Sequence, residues 1–366
     1  MATENARTDA PRKLNELGQS LWLDNITRDL LNSGTLARYI SSGLSVTGLT
    51  SNPTIFDHAI GKSAAYDADV AALAAKGLSI EDLFFEIAIA DLVRAADLFK
   101  PVHERTAGVD GWVSLEVSPL LAYDTAQTLA AARKLHAKAA RPNLFIKIPG
   151  TREGLPAIEE ATFHGVPVNV TLLFSTAQYQ AAAEAYVRGL ERRVAAGLSP
   201  DVRSVASLFV SRWDKATMGK LPAALRNTLG IAVAKQSYRA YRQLLGTDRW
   251  QRLENLGARA QRLLFASTGV KDPAAPDTLY ISALAAPNTV NTMPEETLLA
   301  FADHGALSGA LSADGGDCEK VLAQISSAGV DTAALAAQLQ TEGADSFTVS
   351  WKSLLKSIES KSKALK

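Results

Sequence analysis

The chain has 366 residues, of which 47% are hydrophobic and 21% are charged, which is the composition of a folded globular protein and excludes a disordered or fibrous chain. Lysine plus arginine equals aspartate plus glutamate at 38 residues each, so the formal net charge is zero. A chain with this balance has no general attraction to nucleic acid or to an anionic membrane, and we expect neither as a partner.

The single cysteine and the polar N-terminus indicate the compartment. With Cys318 alone, the chain cannot form an internal disulfide or a multi-thiolate metal site. Residues 1–13 lack the apolar core of a secretory signal, and we expect them to be flexible. No segment approaches the roughly 18 consecutive apolar residues that a membrane-spanning helix needs. Together these features predict a cytoplasmic protein.

Short apolar or β-branched segments followed by longer helical stretches recur along the chain. The predicted strands are Leu21–Asn25, Val46–Ser51, Trp112–Val117, Leu144–Ile148, Val166–Val170, Ser204–Val210, Leu263–Ser267 and Leu279–Ala283. Strands that alternate with helices in this number are typical of a parallel (β/α)₈ barrel. We therefore predict an α/β fold, a single (β/α)₈ TIM barrel over residues 14–366 with additional N- and C-terminal helices.

Helical spacing of apolar residues marks several of the intervening helices. The clearest are Ser79–Phe99, Pro119–Ala139, Ser175–Ala196 and Phe347–Leu365. The first is predicted to stop before Pro101, and the third opens with Ser175 as an N-cap. The last is lysine-rich and gives a C-terminal helix at about residues 345–365. We expect it to pack across the barrel, with a loose interaction tail as the alternative.

Polar residues stand in or directly after the first six predicted strands, where a plain core strand would not have them. They are Asp24, Asn25, Asn52, Glu116, Lys147, Asn169, Thr171, Ser207 and Arg212. In a (β/α)₈ barrel, catalytic groups come from the C-terminal ends of several strands and face one mouth. The pattern therefore predicts a polar site at that mouth, with Phe209 close to it.

Lys147 lies between two isoleucines on a predicted central strand. Burial disfavours the charged ammonium and so favours the neutral, nucleophilic amine, which suits Schiff-base formation with a carbonyl substrate. The alternative is a strand-end lysine that pairs with a neighbouring carboxylate. Spacing alone leaves both interpretations open.

Asp24 and Glu116 supply the carboxylates that Schiff-base chemistry needs for proton transfer. Asp24 could equally cap the following helix, and Glu116 could form a structural ion pair. Burial of Glu116 in an apolar strand without a function would be costly. The segment Ser267–Lys271, after the seventh strand, lies where barrels often bind phosphate, and Arg212 would add a second cation. A Ser-Thr-Gly turn followed by lysine is also a common loop sequence.

Other chemistries lack their sequence patterns. The five histidines show no metal-ligand spacing, which argues against a zinc-dependent aldolase. There is no glycine-rich dinucleotide motif, no phosphate-binding P-loop and no Gly-x-Ser-x-Gly turn. We therefore expect no metal site and no cofactor.

These motifs together resemble those of transaldolase, in the branch that is also found fused to phosphoglucose isomerase. The segments that carry the resemblance are Leu23–Asn25, Thr50–Thr54, Ser114–Val117, Phe145–Pro149, Asn169–Ser175 and Ser267–Gly269. They occur in family order and cover the chain from about residue 14 to its end. One departure is that Lys271 stands where better-known members have an arginine close behind the serine.

The resemblance implies a cofactor-free class I enzyme of the non-oxidative pentose phosphate pathway. Such enzymes move a dihydroxyacetone unit from sedoheptulose 7-phosphate to glyceraldehyde 3-phosphate, giving erythrose 4-phosphate and fructose 6-phosphate. By the family pattern, Lys147 forms the Schiff base, Glu116 with Thr171 holds a catalytic water, and Asp24 exchanges a proton with the C4 hydroxyl.

The resemblance also implies a set of substrate-binding residues and leaves alternatives. Asn52, Asn169 and Ser207 would bind the hydroxyls of the three-carbon unit, and Arg212, Ser267 and Lys271 would bind phosphate. The alternatives to transaldolase are a fructose 6-phosphate aldolase and a non-catalytic sugar-phosphate binding protein. The sequence leaves a monomer and a homodimer equally open.

Overall fold

The computed structural model describes residues 8–365, which form a parallel barrel of eight strands surrounded by helices. The strands are β1 Gln19–Asp24, β2 Val46–Thr50, β3 Val113–Glu116, β4 Leu144–Pro149, β5 Val168–Leu173, β6 Ser204–Phe209, β7 Gln261–Ala266 and β8 Thr289–Met293. They pair in the order β2-β1-β8-β7-β6-β5-β4-β3. A single bridge between Gly48 and Trp112 joins the two ends of this order. The predicted (β/α)₈ TIM barrel is confirmed.

Helices connect successive strands and add segments at both ends of the described chain. The α-helices are α1 Ala10–Glu16, α2 Arg28–Asn32, α3 Thr35–Ser41, α4 Pro53–Lys62, α5 Asp67–Ala75, α6 Ile80–Arg105, α7 Thr125–Ala139, α8 Gly154–Phe163, α9 Thr176–Ala195, α10 Ser211–Thr217, α11 Leu229–Leu245, α12 Asp248–Asn255, α13 Leu279–Ala283, α14 Glu295–His304, α15 Cys318–Ser327 and α16 Thr332–Ala364. Short 3₁₀ turns occupy Ala64–Tyr66, Pro119–Leu121 and Ala223–Leu225. None of the helices in this described part is long and apolar enough to cross a membrane.

The first seven predicted strands are found with shifted ends, but the eighth prediction is wrong. Leu279–Ala283 forms helix α13, and β8 is Thr289–Met293. A short apolar run does not by itself distinguish a buried strand from a buried helix. The true strand is polar in composition, yet it is fully buried, and its hydroxyl groups and the Asn291 amide oxygen have hydrogen-bond partners. Thr289 Oγ1 donates to the carbonyl of Ala286, and Asn291 Oδ1 accepts from Thr268.

Several helix boundaries also differ from the predictions. Helix α6 continues through Pro101, which lies on the exposed side of the helix. Proline has no backbone N–H, and the carbonyl one turn earlier that loses this donor can face water there. Helix α16 begins at Thr332, well before residue 345. The predicted boundary at residue 14 falls inside α1, which buries Ala10 and Leu14; residues 1–7 of the predicted flexible segment lie outside the described residues. The Ser175 cap is confirmed by a capping box.

Aromatic side chains fill the barrel interior toward the N-terminal ends of the strands, and polar groups occupy the C-terminal end. The rings of Trp112 and Phe145 stack with centroids 4.0 Å apart, and Trp22 lies 6.1 Å from Phe145. Gly48 makes room for them, since a Cβ there would lie 2.7 Å from the Trp22 ring and 2.8 Å from the Trp112 oxygen. Trp22 also donates to Asp110 Oδ1 at 2.9 Å. The inward-facing residues that follow these aromatic side chains along the strands therefore lie at the C-terminal mouth.

Helix α16 packs along the barrel beside α4 and reaches the mouth, as predicted for the C-terminal helix. Thr54 Oγ1 on α4 lies 2.8 Å from Ser350 Oγ on α16. The Trp351 ring meets Phe84 of α6 edge to face at 5.0 Å. Near the middle of α16, Phe347 lies 6.4 Å from Phe209, at the end of β6. The helix therefore forms part of the wall of the mouth.

Candidate active site

A cavity of about 140 Å³ opens at the C-terminal ends of the strands. Of the predicted site residues, it is lined by Asp24, Asn52, Lys147, Thr171, Ser207, Phe209, Arg212, Ser267 and Lys271. Glu116 and Asn169 do not line it but are buried directly beside it. The structure thus brings together residues from β1, β4, β5 and β6, from the loops after β2 and β7, and from the start of helix α10, which carries Arg212.

Lys147 lies in the middle of β4 and points into the barrel. Ile146 and Ile148 pack outward against the helices, so strand alternation places the lysine on the inner side. Its Nζ donates to the carbonyl of Ser51 at 2.9 Å and lies 3.2 Å from Glu116 Oε2. Only 5% of Lys147 is exposed, which leaves the amine accessible from the cavity alone.

Glu116 lies on β3 directly opposite Lys147 in the strand register. Oε2 forms an ion pair with Lys147, and neither carboxylate oxygen has a further hydrogen-bond partner among residues 8–365. Burial raises the pKa of Glu116, and the charge of Lys147 opposes this only in part. The Thr171 hydroxyl is also buried without a partner. Buried polar groups in this state are typical positions for a bound water.

Asp24 is the last residue of β1 and belongs to a chain of hydroxyl contacts. Its Oδ1 accepts a hydrogen bond of 2.7 Å from Thr50 Oγ1, which lies 2.7 Å from Thr292 Oγ1. Burial raises the pKa of Asp24, while the charge of Lys147 and the Thr50 hydrogen bond act in the opposite direction. The alternative that Asp24 caps a helix is wrong, because Thr27 caps α2.

Amide and hydroxyl groups form the floor and one side of the cavity. Ser207 Oγ donates to Asn169 Oδ1 at 2.7 Å, and Asn169 Nδ2 donates to Ser114 Oγ at 3.1 Å. Asn169 is therefore held below the cavity by strands on both sides. Asn52 Oδ1 accepts from the backbone of Ile55 at 3.1 Å and caps α4, which leaves its amide nitrogen available at the cavity.

Two cations stand at the rim without carboxylate partners. Within residues 8–365, the side chains of Arg212 and Lys271 form neither an ion pair nor a hydrogen bond. The Arg212 guanidinium lies 5.3 Å from the centre of the Phe209 ring and 5.7 Å from that of Phe347. Burial lowers the pKa of Arg212. The arrangement suits an anionic group such as phosphate.

Ser267 lies at the same rim as these cations. Its Oγ is 2.9 Å from the hydroxyl of Ser211, and its φ of 55° turns the chain after β7. The residue is in the left-handed region, which is uncommon outside glycine and is typical of constrained functional turns. The turn places Ser267 next to Gly269 and Lys271 on the cavity wall.

Six lining residues were not among the predicted site residues: Thr50, Ala266, Gly269, Thr292, Pro294 and Phe347. Thr292 was hidden because β8 was assigned to the wrong segment, and Pro294 follows that strand. Phe347 comes from α16, far along the chain, and nothing in its local pattern separates it from an ordinary core residue. Among residues 8–365, no group of three or more His, Cys, Asp or Glu side chains is placed to hold a metal ion.

Comparison with known proteins agrees with this geometry. The family model described as Transaldolase/Fructose-6-phosphate aldolase matches residues 21–358. The chain is 46% identical to a transaldolase of Parafrankia sp., covering 94% of this chain and 96% of that protein. It is 44% identical to transaldolase 2 of Streptomyces coelicolor, covering 98% of each, and 46% identical to a transaldolase of Thermobifida fusca, covering 94% and 96%. The chain belongs to the transaldolase/fructose-6-phosphate aldolase family.

Proposed function

We propose that the protein is a transaldolase, a transferase that moves a dihydroxyacetone unit between sugar phosphates through a Schiff base on Lys147. The observation that carries the proposal is the enclosed Lys147 amine, 3.2 Å from Glu116, at the floor of a cavity whose rim holds unpaired cations. The substrates are sedoheptulose 7-phosphate and glyceraldehyde 3-phosphate. This is a reaction of the non-oxidative pentose phosphate pathway, and we place it in the cytoplasm.

Schiff-base formation begins with attack of the neutral Lys147 amine on the ketose C2 carbonyl. The resulting carbinolamine loses its hydroxyl as water, which needs one group that donates a proton and one that accepts it. Glu116, whose pKa is raised by burial, and Thr171 hold the water that carries these protons. Glu116 Oε1 and Thr171 Oγ1 have no partner among residues 8–365, which supports this assignment, because unpaired polar atoms are otherwise costly in a buried site.

Asp24, which lines the same cavity as Lys147, acts at the next step. It accepts the proton of the C4 hydroxyl as the C3–C4 bond breaks, and the electron pair of that bond moves into the protonated imine to give an enamine. The first aldehyde product leaves, and the acceptor aldehyde reverses the step with Asp24 returning the proton. The hydrogen bond from Thr50 orients the carboxylate for this role.

The remaining residues hold the substrate. Asn52 and Ser207, with Asn169 beneath, bind the hydroxyls of the three-carbon unit, and Arg212, Ser267 and Lys271 bind phosphate. The aromatic rings beside Arg212 exclude water from this side of the cavity. Because the enamine must survive until an acceptor arrives, shielding from stray protonation favours transfer over hydrolysis.

A fructose 6-phosphate aldolase is the second candidate, because the matching family description names both activities. In that reaction water protonates the enamine and free dihydroxyacetone is released. The apolar Phe209 ring in the cavity wall does little to position such a water, which favours transfer.

Borohydride trapping tests the proposal. The protein is incubated with fructose 6-phosphate, reduced, digested and analysed by peptide mass spectrometry, and an acceptor assay is run in parallel. We expect a three-carbon adduct on Lys147 and transfer to erythrose 4-phosphate. Release of dihydroxyacetone without transfer would favour the aldolase. Absence of any adduct in protein that circular dichroism shows to be folded would overturn the enzyme assignment in favour of sugar-phosphate binding.

A further inference from the structure

We propose that Gln340, on α16, is a positioning residue that fixes Thr171 in the active site, an inference that rests on the proposed function. Gln340 Nε2 donates hydrogen bonds to the backbone oxygens of Gly150 at 3.0 Å and Leu172 at 2.9 Å. These oxygens lie at the ends of β4 and β5, the strands that carry Lys147 and Thr171. One side-chain amide from a distant helix therefore joins the two strand ends beside the cavity.

The end of β5 has an irregular backbone that needs such support. Its pairing with β6 is interrupted between Val170 and Leu173, where β5 contains one residue more than β6. Leu172 lies in this bulge with a φ of 60°, in the left-handed region that a bulky residue rarely adopts. A conformation of this kind persists only where the surrounding contacts hold it.

Two of the contacts that hold the bulge come from α16. Within the barrel, the Gly150 backbone N–H donates to the Thr171 carbonyl at 2.7 Å. From outside, Gln340 binds the Leu172 carbonyl, and Gly343 receives the Leu172 side chain. A Cβ on Gly343 would lie 3.0 Å from Leu172 Cδ2, so the helix approaches as closely as a residue without a side chain allows.

The support of the bulge affects the adjoining residue, Thr171. Its hydroxyl is buried without a hydrogen-bond partner, as are both carboxylate oxygens of Glu116. Since no side-chain hydrogen bond orients this hydroxyl, its position depends on the backbone of the bulge. Gln340 therefore acts on proton transfer during imine formation, without touching the substrate.

The test replaces Gln340 by methionine, which has similar length but no donor. We expect the rate constant for imine formation on Lys147, followed by timed borohydride quenching with fructose 6-phosphate, to fall roughly 10- to 100-fold. The KM for fructose 6-phosphate should stay within about twofold, because the cations at the rim are unchanged. If Gln340→Met does not fold, Gln340→Asn, one methylene shorter, replaces it in the same assay.

A double-mutant cycle separates positioning from general support of the fold. In a Thr171→Val background, Gln340→Met should cause little further slowing, because the group it positions is already absent. Gln338→Met is the matched control, since Gln338 lies on the exposed side of α16 and, among residues 8–365, its side chain hydrogen-bonds Glu342 alone. Unchanged imine formation in Gln340→Met, equal slowing in the control, or full additivity with Thr171→Val would overturn the proposal. Failure of the proposed function is distinct: the wild-type protein itself would form no adduct.

Discussion

The Lys147 amine lies 3.2 Å from Oε2 of Glu116, with both side chains almost completely enclosed. Adjacent strands in register place the two residues side by side. Because charged groups lose their hydration in such a place, each depends on the other while both are charged. Burial raises the pKa of Glu116, so this carboxyl takes up a proton more readily than an exposed glutamate does.

Replacing Lys147 by alanine should abolish turnover and borohydride adduct formation while the fold survives. The barrel keeps its core, and Glu116 can take up a proton once its partner is removed, since its pKa is already raised. Turnover with sedoheptulose 7-phosphate, adduct mass and circular dichroism measure the three properties. Substantial turnover in the folded variant would contradict the assignment of Lys147 as the residue that forms the Schiff base.

Replacing Asp24 by asparagine should block carbon–carbon cleavage but not imine formation. The amide keeps the size of the carboxylate and can still accept from Thr50, but it cannot take the C4 proton. We expect transfer to slow by roughly 10²- to 10⁴-fold. The trapped adduct of fructose 6-phosphate should then carry six carbons instead of three. A three-carbon adduct formed at the wild-type rate would remove Asp24 from the cleavage step.

Replacing Phe209 by tyrosine should raise the ratio of free dihydroxyacetone release to transfer. The ring lies in the cavity wall beside Arg212, and an added hydroxyl there can position water against the enamine. Release and transfer are measured on the same sample with fructose 6-phosphate, with and without an acceptor aldehyde. Phe347→Tyr, on the same wall, is the comparison that tests whether the position matters. A ratio equal to that of the wild type in Phe209→Tyr contradicts the idea.

Local sequence patterns were sufficient for most of the barrel and for the residues at the ends of its strands. The inward direction of Lys147 and Glu116 is predicted correctly even when the strand ends are misplaced by a residue or two. Side chains alternate between the two faces of a strand, and this alternation fixes which residues face inward. The resemblance to a family supplied the roles, which spacing alone left open.

Long-range contacts account for what the sequence did not predict. Leu279–Ala283 is as apolar as a strand, whereas β8 is rich in threonine and asparagine whose partners come from other strands and loops. Likewise, Gln340 acquires its role only because α16 crosses the end of the bulged strand. A pattern along one element does not contain the identity of such a distant neighbour.

Asp214 should make the stability of the protein fall as pH rises from about 4 to about 7. The buried carboxyl accepts from the backbone of Leu229 at 3.1 Å and from the Tyr280 hydroxyl at 2.9 Å, and burial raises its pKa to about 6. The folded protein thus keeps a proton that the unfolded chain has released. The stability that this group contributes is complete below its ordinary pKa and is lost as pH rises through about 6.

Asp214→Asn removes this titration at nearly constant shape. The free energy of unfolding in urea is measured for both proteins across the pH range. Between pH 4 and pH 7, the difference between the two proteins should shift in favour of the variant by up to about 3 kcal/mol. A difference that does not depend on pH would show that Asp214 is ionised in the folded protein with an ordinary pKa.

Replacing Gly48 by alanine should destabilise the barrel by about 1–3 kcal/mol, the usual cost of overpacking a core. A Cβ there would lie 2.7 Å from Trp22 and 2.8 Å from the Trp112 oxygen, at the bridge that joins β2 to β3. Gly43→Ala is the matched control, because a Cβ on Gly43 meets nothing within 4 Å. Its free energy of unfolding should stay within about 0.5 kcal/mol of the wild type. Equal values for the two variants would mean that the tryptophans can move without loss. In that case the position of Asp24, two residues beyond Trp22, would not depend on rigid packing of these aromatic side chains.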